Sequence, residues 1–131
     1  MTPAGFARYA WAAPSTALGL LLAAAFYAGG AHARVVQGAL EVGGGRMGRL
    51  AGRLPPAVRF SALTLGHVIL GLDRASLDAC RRHEHVHVRQ YERYGPFFLP
   101  LYAASSAWQW LRGRHPYLDN HFERQAFRET P

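Results

Sequence analysis

The sequence predicts an α+β protein: an N-terminal transmembrane helix (residues 1–33), then a small domain (34–131). That domain should hold short strands, a long motif helix, an antiparallel return helix and a last helix bearing a glutamate. Three observations carry this. The stretch between Arg8 and Arg34 has no charged residue. Two β-branched, apolar segments between residues 35 and 72 are bounded by Gly and Pro. A polar, helix-forming run ends abruptly at Gly95-Pro96 and contains His83-Glu84-His85-Val86-His87.

The first element spans Tyr9 to Ala31, is rich in Ala and Leu, and is long enough to cross a bilayer. Tyr9, Trp11 and Tyr27 fall near its ends, where interfacial aromatics belong. Pro14 is read as close to the helix start, where proline is tolerated. A cleaved signal peptide competes, because Ala31-His32-Ala33 resembles a small-x-small cleavage site. Against it, one basic residue, Arg8, precedes the apolar run. Arg34, Arg46, Arg49, Arg53 and Arg59 follow it, against Glu41 alone. Positive charge after an apolar segment stays in the cytoplasm, so a retained anchor with the domain on the cytoplasmic side is the favoured reading.

Val35 to Val42 reads as a short strand ending in the turn Gly43-Gly44-Gly45. After Pro55-Pro56, Ala57 to Leu72 reads as a second strand, bent at Gly66 and carrying His67 as a structural histidine. The motif helix starts near Ser76, capped by Asp73 or Ser76, and runs to Tyr94. Its Arg and Glu residues prevent it from spanning a membrane. Residues 95–111 are uncharged, and a helix of about sixteen residues rises roughly 24 Å. If it folds back on the motif helix, it is a buried or membrane-surface helix, with Trp108, Trp110 and Tyr102 suited to an interface. Asn120 then caps a final helix.

The net charge of +7 raises nucleic-acid binding as a class. Every basic side chain is Arg, and these are scattered rather than forming a stripe interleaved with aromatics, which argues against it. Cys80 is the only cysteine, so no internal disulfide forms. It is read as a small buried residue rather than a ligand.

The chemistry lies in His-Glu-x-x-His. Residues four apart share a helix face, so His83 and His87 can present two imidazole nitrogens to one Zn2+ ion. Glu84 beside them can act as general base toward water. His85 should point away. Glu123 stands three residues after Asn120, as in a capping box. The competing reading makes it the carboxylate that completes a His, His, Glu tripod. Gln90 and Asn120 are candidates to orient a ligand, and a plain surface role for Gln90 stands beside that. His115, Tyr117 and His121 are candidates to stabilise an oxyanion.

A His-Glu-x-x-His helix followed some thirty-odd residues later by a Glu-bearing helix resembles the gluzincin branch of the zincin metallopeptidases. The words HEHVHVRQYERYGPFF and YLDNHFERQA are also similar to a small bacterial membrane-associated family with a zincin-like core. The resemblance covers residues 60–128 and, more weakly, the anchor. It implies His83, His87 and Glu123 as zinc ligands, Glu84 as general base, and a peptide or protein substrate. Arg82 and His85 depart from the usual pattern around the motif. The expected protein is therefore a membrane-anchored, zinc-dependent metallopeptidase, with membrane lipid as a partner. The rivals are a non-catalytic zinc-binding membrane protein and a structural membrane protein.

Overall fold

A computed structural model describes residues 2–131. Its first helix, α1 (Pro3–Ala28), begins where the Thr2 hydroxyl accepts a hydrogen bond from the Gly5 N–H at 3.0 Å, with Pro3 in the first turn. It therefore starts earlier than Tyr9, and Pro14 lies inside it rather than near its start. By length and composition α1 could cross a membrane, a test that a signal sequence or a core helix also passes. Ala12, Ser15, Gly19, Ala23 and Phe26 are buried, and their spacing of three and four places them on one stripe. Small residues let that stripe approach closely. A Cβ at Gly19 would lie 2.8 Å from Val68 Cβ and 2.9 Å from the Leu65 carbonyl.

The stretch read as one strand over 35–42 is a hairpin of β1 (His32–Val36) and β2 (Ala39–Gly43). Gln37 and Gly38 between them both have positive φ, 52° and 82°. That pattern belongs to a tight turn whose twist matches its strands. Gln-Gly is a weaker hairpin signal than Asn-Gly, and the turn was invisible in the sequence for that reason. A short helix, α2 (Gly45–Gly52), follows where no helix was expected. Gly48 admits it, because the Leu72 carbonyl occupies the space a Cβ would need.

The long strand expected over 57–72 is also a hairpin, β3 (Ala62–Leu65) and β4 (Val68–Gly71), and 57–61 is not strand. Gly66, at φ +61°, turns the chain instead of bending it, and its missing side chain leaves room for Thr16 of α1. The sheet order is β1-β2-β4-β3, parallel only between β2 and β4. Alternation then sorts the side chains. Val42, Val68 and Leu70 pack with Ala23 and Phe26 of α1, while Ala39 and Ile69 pack with Leu77 and Val88 of the motif helix.

That helix, α3 (Arg74–Tyr94), is capped by Asp73, whose carboxylate accepts from the Ser76 N–H at 2.7 Å. It stops at Gly95, φ +57°, where the Trp11 ring leaves no room for a Cβ. A single 3₁₀ turn (Gly95–Phe97) reverses the chain into α4 (Phe98–Leu111). Phe98 and Tyr102 return to within 6.4 Å, ring to ring, of His87. Only Phe98 and Gln109 of α4 are buried, so it is not a core helix. Asn120 caps α5 (His121–Glu129) through the Phe122 N–H at 2.8 Å.

Candidate metal centre

His83, Glu84 and His87 lie on consecutive turns of α3, and one donor atom from each falls within 4.8 Å of the others, a group able to hold a metal ion. Helix α5 adds the fourth side chain. Glu123 Oε1 lies 2.9 Å from His83 Nε2 and 3.0 Å from His87 Nε2. Glu84 stands farther off, its Oε2 3.8 Å from His83 Nε2. A tetrahedral zinc site with bonds of about 2.0 Å sets neighbouring donors ~3.3 Å apart. Glu123 thus stands near that spacing from each imidazole, and Glu84 lies somewhat beyond it from His83.

Three of these four side chains are oriented by a further group. Gln90 accepts from His87 Nδ1 at 2.7 Å, which turns Nε2 toward Glu123. Its amide nitrogen donates to the Phe122 carbonyl at 3.1 Å and to Gln125 at 3.0 Å, so Gln90 also ties α3 to α5. Tyr102 donates to Glu123 Oε2 at 2.6 Å, leaving Oε1 to face the histidines. Thr64, on the edge strand β3, donates to Glu84 Oε1 at 3.1 Å. Asn120 does not reach the site. Fully buried, it donates to the Tyr102 carbonyl at 3.0 Å and Ser106 Oγ at 2.8 Å, fastening α5 to α4. No capping box forms around Asn120, because both Glu123 oxygens are engaged by His83, His87 and Tyr102.

The electrostatics separate the two carboxylates. Burial pushes the Glu84 carboxyl up, only partly offset by His87 and His83. Burial would also raise Glu123, but the hydrogen bonds from His83 and His87 outweigh it and hold that group down at about 2. His87 is held up, because the bond and charge of Glu123 overcome its own burial. The two carboxyls are therefore shifted in opposite directions, Glu123 down by the imidazoles and Glu84 up by burial.

These groups floor a cleft of about 840 Å³. Residues 57–65 line it together with Phe98, Leu99, Tyr102, Tyr117 and Phe127. Tyr117 alone among the three oxyanion candidates lines it. The His115 ring instead accepts from the Tyr117 and Leu118 backbone N–H groups, and His121 is exposed. Cys80 is half-buried in the cleft wall. His85 is buried outside the cleft, and burial holds its pKa down. His67 lies in the β3–β4 turn rather than in a strand, paired with Glu92 at 2.8 Å and stacked on Tyr9 at 3.9 Å.

Sequence reasoning missed Thr64 and the role of Tyr102. Tyr102 was read as an interfacial aromatic, yet its hydroxyl is directed at Glu123. The signal was its spacing from Phe98, four residues, which puts both on the stripe of α4 that meets α3. No protein-family model, no curated protein and no solved structure matches this chain.

Proposed function

We propose that the chain is a membrane-associated, zinc-dependent metallopeptidase. The observation that carries this is the meeting of His83 Nε2, His87 Nε2 and Glu123 Oε1 at the floor of an open cleft, with Glu84 beside them and not needed as a ligand. His83, His87 and Glu123 would hold the ion. Zinc bound there supplies Lewis acidity that acidifies water and polarises a peptide carbonyl.

The remaining steps belong to the chain's own groups. Glu84, held by Thr64 and with its pKa raised by burial, takes the proton of the attacking water. It later delivers that proton to the departing amine. Tyr102 keeps Glu123 facing the histidines. Tyr117, which lines the cleft, would donate to a developing oxyanion.

Two measurements test the reading. Zinc content of the purified protein should be one ion per chain and be lost in His83→Ala and Glu123→Ala. Glu84→Gln should keep the ion and lose chelator-sensitive cleavage of a peptide library by about a hundredfold or more. Cleavage that is equal in both proteins and indifferent to chelator removes the peptidase assignment. Bound zinc with no cleavage in either protein leaves a non-catalytic zinc protein.

A further inference from the structure

We propose that the protein rests on one leaflet of an anionic bilayer, with α1 and α4 lying along the surface, instead of crossing the membrane through α1. This deepens the membrane part of the reading above and is independent of the metal.

The first argument is how α1 is held. Its buried stripe from Ala12 to Phe26 runs about 21 Å along the helix. From Tyr9 to its C-cap Gly29, α1 is attached to the domain along its length. Tyr9 donates to the Gly38 carbonyl at 2.6 Å, Trp11 to the Arg93 carbonyl at 3.2 Å, and Thr16 accepts from the His67 N–H at 3.0 Å. Gly19 lies against Leu65 and Val68, and the Gly29 carbonyl accepts from the Arg46 N–H at 2.9 Å. A spanning α1 would draw these partners into hydrocarbon, along with the His67–Glu92 pair and exposed Arg93. Each ionised side chain there costs about 2.5–3.5 kcal/mol. Lying flat, α1 keeps its contacts and offers lipid only its outer face, where Phe6, Trp11, Leu18, Leu21 and Tyr27 are exposed.

The second argument is α4. Its 14 residues rise about 21 Å, too short for a bilayer, and it connects two helices that both supply side chains to the metal centre. It cannot cross. Yet Phe97, Leu99, Leu101, Trp108, Trp110 and Leu111 are exposed on it or at its start. The two outer faces join where Trp11 covers Gly95 and lies 6.0 Å from the Phe97 ring, beside Pro100 and Leu101.

Charge selects the occupant. No Asp or Glu occurs from Met1 through Leu40 or from Arg93 through Leu118, while Arg8 near the start of α1, Arg93 near the end of α3, and Arg112 and Arg114 just after α4 are exposed. An uncharged face with Trp and Tyr at its margins and Arg around it matches acyl chains, the interfacial layer and lipid phosphates in turn. Leu99 belongs both to this face and to the cleft wall, which sets the cleft's rim beside the headgroups.

The test uses the full chain with sealed vesicles of phosphatidylcholine alone or of equimolar phosphatidylcholine and phosphatidylglycerol. Flotation should show binding to the anionic vesicles and at least about tenfold weaker binding to neutral ones. The combined Trp108→Ser, Trp110→Ser and Leu111→Ser variant should lose a similar factor while holding zinc as before. Tags before Met1 and after Pro131 should both be digested by external protease. A spin label at Leu21→Cys, in a Cys80→Ser background, should report headgroup-level depth. If the surface variant fails to fold, the tags and the spin label still decide. One protected tag with the label at the bilayer centre overturns the proposal in favour of a span. So does a chain that ignores vesicles and is recovered as a dimer, its apolar face covered by a second copy. Zinc content measured on the same samples separates a failure here from a failure of the metal assignment.

Discussion

Replacing Gln90 with Leu should weaken zinc binding 10- to 100-fold, about 1.4–2.8 kcal/mol. Gln90 is 3% exposed and makes three hydrogen bonds, to His87 Nδ1 (2.7 Å), the Phe122 carbonyl (3.1 Å) and Gln125 (3.0 Å). Leucine fills the volume but leaves the His87 Nδ1 unpaired in the interior and removes the bonds to the Phe122 carbonyl and Gln125. One orphan costs about 1–3 kcal/mol, so stability should fall by about that amount. Two effects are then mixed, lost orientation of His87 and a loosened α3–α5 contact. Gln90→Glu separates them. A carboxylate still accepts from His87 Nδ1 but cannot donate to Phe122 or Gln125. It should unfold earlier than the parent yet bind zinc within about threefold of it. Affinity is read by competition against a chromophoric chelator, and stability by thermal unfolding of the zinc-free protein. Folded Gln90→Leu that binds zinc as tightly as the parent refutes the reasoning, because His87 would then need no partner to be oriented.

Two further outcomes concern the scaffold. Gly19→Ala should lower the melting temperature by about 3–8 °C: contacts this short with Val68 Cβ and the rigid Leu65 carbonyl cost about 2–3 kcal/mol, and the ~1 kcal/mol that Ala gains in a helix leaves a net loss of about 1–2 kcal/mol. An unchanged or higher value, measured by circular dichroism, means that α1 does not dock on the sheet. Asp73→Ala should destabilise by about 1 kcal/mol at neutral pH through loss of the α3 cap. The Ser76 N–H holds the Asp73 carboxyl below its ordinary 3.8, so the stabilisation is present above that value and is lost as pH falls through the lowered one. Denaturation curves of parent and variant should therefore converge in acid and separate above about pH 4.

Most of the site's residue types were legible because helical spacing alone determines them. His83 and His87 are four apart on a strongly signalled helix, so their shared face needs no tertiary information. The stop at Gly95-Pro96 and the Asn120 cap are equally local. Glu123 was legible only as one of two alternatives. Sequence could not say whether its carboxylate returns to its own helix start or reaches α3, because that depends on where α4 delivers α5. Thr64 carried no local signal of function, and Tyr102 carried only a spacing that put it on the packed stripe of α4. Each is an ordinary strand or helix residue until packing brings it to a carboxylate.

The same division runs through the fold. By itself the sequence determined what is short-range: an apolar N-terminal helix, a motif helix with its ends, a capped last helix, and strands between Gly-rich breaks. Only the tertiary structure decided that two expected strands are hairpins, since Gln37-Gly38 and Gly66 turn the chain through positive φ that the pairing strands impose. It also decided which face of α1 is buried. Hydropathy sums over a helix and is blind to direction, whereas the stripe from Ala12 to Phe26 exists because a sheet and α3 lie against it. The carboxylate that meets both histidines was likewise decided by packing, through a chain reversal at Gly95 that brings residue 123 back to within 3.0 Å of His87.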